Sequence, residues 1–437
     1  MRGKSTVLKL VRSGSSRMYG RLLFFALLFG GVKLSGFSAA LLLSSIAGLA
    51  DYGRFEYALA VGLLLALPLN MGLQGAYPYF NLRMRQRGYR SIFYFHALLM
   101  GGALALLIGS DMLFFHWLPP QLATAGLLGG VIALQVLVAA ILKSHEKILR
   151  AVLLEGGFFL LVNVLVAVLF FTQRDFEFYQ LQYLLLGYLL SLLGVYTYHW
   201  NKSRADFSWM NYIIALRYGR HLVLSSFLLL LLTGSARIFV EYFLDIQTVG
   251  HYAFYLRFAM ISIMIQQVFL IAFFRKIYQS EPSLLDRYYA PFLAAILLFS
   301  LGLWWGVPLF LSDYLPLLAA SSQAYRLLYF TLCFHCIGWI CLAFNENIIH
   351  RENLSARMNR GLLLLFAAML VILLLLHYSG SLTVELLAIV NLLTLFGATE
   401  LQFYLLYTHR GICLRRAQLV HRLILVVFGL GVGAFGA

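Results

Sequence analysis

The sequence predicts an all-α polytopic membrane protein of about twelve transmembrane helices in two six-helix lobes, followed by a short apolar segment. Three observations carry that prediction. The 437 residues are 62% hydrophobic and 11% charged. Apolar runs long enough for a hydrocarbon core of about 30 Å recur along the whole length. Runs such as Leu22 to Ser45 and Leu362 to Leu376 are apolar on every side, whereas barrel strands would alternate in polarity over about 10 residues.

The first span, at about 21–46, carries Lys33 near its centre and lacks a small-residue cleavage site. It is therefore expected to stay as a helix rather than be removed as a signal peptide. Spans at about 55–80, 91–114, 120–142, 151–171 and 180–199 complete a first lobe over residues 1–199. The longest inward connection, 200–221, is charged and aromatic (NKSRADFSWMNY), which suits a linker or an interfacial helix on the cytoplasmic leaflet. The second lobe, 222–407, has spans at about 222–244, 250–274, 289–311, 323–345, 361–377 and 382–407. Residues 408–437 join a basic segment (Arg410, Arg415, Arg416, Arg422) to about 15 apolar residues starting at Leu423. That run is short for a span, and a thirteenth membrane segment, an interfacial piece and an end made short by truncation all stay open.

The net charge of +16 follows topology and does not mark a nucleic-acid binder. Alternate loops hold Arg83, Arg85, Arg87 and Arg90, then Lys143, Lys147 and Arg150, then Lys202, Arg204, Arg217 and Arg220. The intervening loops add little beyond Arg54 and Arg174. By the positive-inside rule both ends of the twelve-helix unit, the N-terminus included, are cytoplasmic. Trp117, Trp200, Trp209 and Tyr314 suit the interfacial belts. Outward loops are too short for an external domain.

Several motifs have bland readings. Cys333 and Cys336 form a CxxC pair inside an apolar helix with no second pair nearby, which fits packing better than a zinc site. Gly431 to Gly436 matches GxGxxG, but no strand precedes it, so a dinucleotide site is excluded. Gly126 with Gly130 and Gly429 with Gly433 read as small-xxx-small helix contacts.

Lys33, Arg237 and Arg257 lie inside apolar stretches, where a charge at mid-bilayer costs roughly 2.5–3.5 kcal/mol on insertion scales. With Arg54 and Arg326 near the outer surface, they make a set of candidate substrate-binding cations running from rim to mid-membrane. Such a set suits an anionic cargo. Arg237 and Arg257 each lie about seven residues from an outer helix end, so both are expected at a depth of about 10 Å. Thr233, Arg237 and Glu241 are spaced by four and should share a helix face. Glu241 is thereby a candidate to neutralise Arg237, as Glu155 or Glu385 is for Lys33. Glu56, Glu155, Glu241, Glu385 and Glu400 are also candidates for ion coupling, because transporter proton relays use intramembrane carboxylates. Asn70, Gln74, Asn163 and Asn391 suit sugar hydroxyls or interhelical hydrogen bonds. HExxH, P-loop and large soluble loops are absent from the sequence, so a transporter is expected rather than an enzyme, with no cofactor.

The halves echo each other: Tyr52-Gly53-Arg54-Phe55 follows the first predicted helix and Val249-Gly250-His251-Tyr252 follows the seventh. Repeated halves with a site at their interface are common in transporters. On Leu49 to Phe55, Asn70 to Leu73, Arg237 to Leu244 and Val249 to Tyr252, the chain resembles the polysaccharide-exporter, Wzx-like O-antigen flippases of the multidrug/oligosaccharidyl-lipid/polysaccharide (MOP) flippase superfamily. The resemblance implies two six-helix lobes in a bacterial inner membrane. It implies alternating access for an undecaprenyl-pyrophosphate-linked oligosaccharide through a cationic cavity, driven by an H+ or Na+ gradient. It also implies a polysaccharide polymerase and a chain-length regulator as partners. Two positions depart from the family pattern: Ala236 stands where an acid is common and Asn70 where an Asp is frequent. The rival readings are a multidrug antiporter of the same superfamily, for which acids rather than cations would be expected, and a membrane-embedded polymerase or ligase with a sizeable outward loop.

Overall fold

A computed structural model describes residues 16–83, 89–145, 147–267, 269, 280–352 and 354–436. Every described element is helical. The first half contains α1 (Ser16–Ile46), α2 (Leu49–Asn70), the short α3 (Leu73–Pro78), α4 (Tyr89–Ser110), α5 (Pro120–Ser144), α6 (Ile148–Thr172) and α7 (Phe178–Ser203). The second contains α8 (Trp209–Gly234), α9 (Ala236–Phe243), α10 (Ile246–Ala259), α11 (Ile261–Gln267), α12 (Pro282–Leu311), the short α13 (Pro316–Ser321), α14 (Arg326–Arg351), α15 (Ser355–Tyr378), α16 (Val384–Arg410) and α17 (Arg415–Gly436). Among the described residues eleven helices are long and apolar enough to cross a membrane, or twelve if the pair α10 and α11, bent by 43°, is one span. This is the all-α polytopic class that the composition predicts.

Each half packs around its most buried helix. In the first that is α5, whose Gly129 sits against Gly62 and Leu65 of α2. A Cβ on Gly62 would lie 2.8 Å from that of Leu128, so the small residues set the helix spacing, as they do where lipid supplies no hydrophobic drive. Gly126 and Gly130 lie against Ile108 and Leu104 of α4, as their spacing suggests. In the second half α14 and α16 form the core, and α14 is the most buried candidate span. Gly429 and Gly433 of α17 face open space, so the small-xxx-small reading fails there. Cys333 and Cys336 are buried free thiols.

Several expected boundaries shift. Residues 200–221 are mostly helical: α7 runs to Ser203, one 3₁₀ turn covers Arg204–Asp206, and α8 starts at Trp209. Ser208 caps α8 by accepting a hydrogen bond from the Asn211 amide, a local interaction that hydropathy does not register. The second span starts at Leu49 rather than 55 and breaks at Met71-Gly72, both with positive φ (46° and 70°). Gly72 is required there, because a Cβ would overlap the Gly219 carbonyl of α8. The seventh span splits at Ser235 into α8 and α9, so Thr233 and Arg237 lie on separate helices. The segment beyond Arg410 resolves as one 22-residue helix, α17. Its basic first turns join the apolar run and give it the length to span. It packs along α12, and the Asp286 carboxylate accepts from the Arg416 and Ala417 amides at its start.

Candidate functional site

The seam between the halves is built from α2 of the first and α10 of the second. A Cβ on Gly53 would overlap the Ile246 carbonyl oxygen, and one on Gly250 would lie 2.7 Å from the Leu49 carbonyl oxygen. Ile246 precedes Gly250 by four residues, as Leu49 precedes Gly53. The contact is thus reciprocal, the pattern of a pseudo-two-fold interface. The two echoing motifs are the first turns of two helices pressed together, not turns after helices. Asp245 caps α10, accepting from the Thr248 amide at 2.8 Å and the Thr248 hydroxyl at 2.6 Å. Burial pushes its carboxyl up, but those bonds and the Gln247 amide outweigh it and hold it below its ordinary value.

One turn deeper lies an ion cluster that joins the halves. Glu56 of α2 is fully buried. Its Oε2 accepts from Arg237 Nη1 of α9 at 2.6 Å. Its Oε1 accepts from Arg257 Nε and Nη2 of α10 at 2.9 and 2.7 Å, and from the Tyr52 hydroxyl at 3.3 Å. The two arginine side chains are 9% and 11% exposed, so they sit in a closed seam rather than along an open cavity. One carboxylate cannot serve all their donors: Arg237 Nε is buried with no partner among the described residues. The cluster therefore has two cations from one half, one anion from the other, and a donor to spare.

This geometry corrects the expected pairings. Arg237 takes Glu56, not Glu241, which is half-buried and makes no ion pair among the described residues. α9 packs against α2 and α10, which brings Arg237 to Glu56, and spacing by four along one span does not register that packing. Glu155 pairs with Lys143 at 2.5 Å in a partly exposed site. Glu385 lies in the first turn of α16, where the helix dipole favours an acid. Arg54 pairs with Asp51 within α2 at 2.6 Å. Arg326 opens α14 with its guanidinium 5.2 Å from the Trp304 ring centroid, a cation–π distance. Lys33 belongs to α1, and its side chain lies outside the described residues. Asn163 bridges α6 to Ser35 and Ser38 of α1 at 2.8 and 3.1 Å, an interhelical role. Asn70 and Asn391 are buried with side-chain atoms unpaired among the described residues, and Gln74 lines a cavity of about 170 Å³ between α2, α3 and α8.

Glu56 is the residue whose part in this cluster the sequence reading missed. With a span starting at 55 it would sit at the surface, whereas a helix from Leu49 carries it about 10 Å in. Arg257 is eleven residues into α10, about 17 Å along its axis, and its long side chain spans the difference to Glu56. The cap of α10 at Asp245 was the local signal that could have placed Arg257 at this depth.

No protein-family model matches the chain, and no curated protein does. Two solved structures share its fold. One is the outward-facing conformation of a multidrug resistance MATE family transporter of the MOP superfamily, with a TM-score of 0.53 and 15% identity over 92% of this chain and 97% of that one. The other is a crystal structure of MATE in complex with MaL6, with a TM-score of 0.53 and 16% identity over the same shares.

Proposed function

We propose, from a fold shared with transporters of the MOP superfamily, that this protein moves an anionic lipid-linked oligosaccharide across a bacterial inner membrane by alternating access, with its N-terminus cytoplasmic. The observation that carries this reading is the Glu56–Arg237–Arg257 cluster. Its acid belongs to one half and its two cations to the other. Parting the halves at this seam strips both arginines of their counter-ion inside the membrane, where unpaired charge is expensive. A pyrophosphate entering the opened seam would offset that cost with charge-assisted hydrogen bonds. The spare donor on Arg237 favours an anion over a cation. Glu56, alternately paired and released, is the acid best situated for coupling to H+ or Na+. A polymerase and a chain-length regulator would take the product.

A second reading, multidrug transport, draws support from the name of one structural neighbour. In that case Glu56 rather than the arginines would meet a cationic drug. Replacing Lys33, Arg237 and Arg257 singly with Gln, and measuring surface polysaccharide at matched protein level, tests the first reading. Reduced export from the arginine variants is expected. Normal export from all three, with drug efflux from the wild type, would replace it by the second.

A further inference from the structure

A groove of about 590 Å³ opens between α16 and α17, within the range of roughly 300–1,000 Å³ common for ligand pockets. It is far along the chain from the seam and plays no part in the ion cluster. Tyr404 and Tyr407 of α16 stand on its rim, each 62% exposed. Arg415, Gln418 and Arg422 line it from α17, and Glu400 lies within it.

The charge in this groove is unbalanced. Glu400 accepts from Gln418 Nε2 at 2.9 Å, from Arg422 Nη2 at 3.0 Å and Nε at 3.2 Å, and bonds His421 Nδ1 at 3.2 Å. Its single negative charge is thereby satisfied. The exposed Arg415 guanidinium makes no hydrogen bond or ion pair with any described residue. The first amides of α17 are capped by Asp286, so the anion preference comes from side chains rather than the helix end. Leu419, between the two arginines, and Leu423 and Leu430, beyond them, are exposed along α17, offering an apolar track that continues from the cationic mouth.

We propose that this groove binds the phosphate headgroup of an anionic phospholipid, with Arg415 as its main partner, Arg422 as a second, and the acyl chains running along α17. A cation at the mouth, phenol hydroxyls on the rim and an apolar track below match the order of charge, ester and hydrocarbon in such a lipid. A free anion would leave the apolar track unused. The proposal rests on the chain being membrane-embedded and not on what it transports.

The test is lipid binding to the delipidated full-length chain in neutral detergent, read by native mass spectrometry. The probes are phosphatidylglycerol, phosphatidylcholine and inorganic phosphate. Phosphatidylglycerol is expected to bind at least fivefold more tightly than phosphatidylcholine, and Arg415→Gln to weaken it by roughly fivefold. Arg416→Gln, one residue on and outside the groove lining, should bind like the wild type. Tyr404→Ala, which alters the rim without touching a charge, should weaken both lipids. Equal binding of the two lipids would overturn the proposal. So would identical behaviour of the Arg415 and Arg416 variants, or displacement of the lipid by equimolar inorganic phosphate.

Discussion

Glu56 is buried because it has two partners, and while the seam is closed it would not tolerate losing its charge. A buried carboxylate facing two guanidiniums is costly to desolvate, but removing one member of such a set is costlier, because the remaining charges are left without compensation. Glu56→Gln is therefore expected to lower stability by about 3–5 kcal/mol, seen as a fall in the detergent thermal midpoint. Arg237→Gln should cost less, since Arg257 still holds the carboxylate through two hydrogen bonds. Glu241→Gln should stay within about 0.5 kcal/mol of the wild type, and a loss as large as that of Glu56→Gln would refute the pairing described here.

Helix packing at the seam depends on two glycines rather than on apolar area. Gly53→Val and Gly250→Val would each press a side chain into the backbone of the opposing helix, and overpacking of this kind costs about 1–3 kcal/mol. Gly429→Ala, which faces open space on α17, should be neutral or stabilising by up to about 1 kcal/mol through helix propensity. Comparing the three thermal midpoints separates a seam contact from a general intolerance of side chains. The cap of α10 adds a pH-dependent contribution. Because the folded Asp245 carboxyl lies below its ordinary value of 3.8, its stabilisation is complete above that value and lost as pH falls through the folded one. Asp245→Ala should cost about 1 kcal/mol at neutral pH, and the gap to the wild type should narrow below pH 3.8. A gap that persists unchanged in acid would mean that the carboxylate is not the capping group.

At the scale of the whole molecule, α17 changes the topology. With α16 of 27 residues and α17 of 22, the turn at Gly411 and the far end of α17 lie on opposite sides if both helices span. With the N-terminus cytoplasmic, as proposed, and in a Cys413→Ser background, where Cys333, Cys336 and Cys341 are buried, a membrane-impermeant maleimide applied to intact cells should label Ser379→Cys and Gly433→Cys but not Gly411→Cys. Labelling Gly433→Cys and Gly411→Cys from the same side would make α17 an interfacial helix instead. The reciprocal contact of α2 with α10 gives the two halves a shared surface. The charges that decorate it, however, are not symmetric: the positions matching Arg237 and Arg257 in the first half are Ala40 and Ala60.

The all-helical membrane class and nearly all the spans follow from the sequence alone, because desolvating backbone and charge in a bilayer leaves few alternatives. The cost of a charge in hydrocarbon likewise singled out Arg237 and Arg257. The helix interruptions at Met71-Gly72 and Ser235 escaped it, since hydropathy runs on unchanged through both. Which acid meets which base was beyond it too. Glu56 lies 181 residues from Arg237 and 201 from Arg257, and only the packing of α2 against α9 and α10 brings those charges to one point.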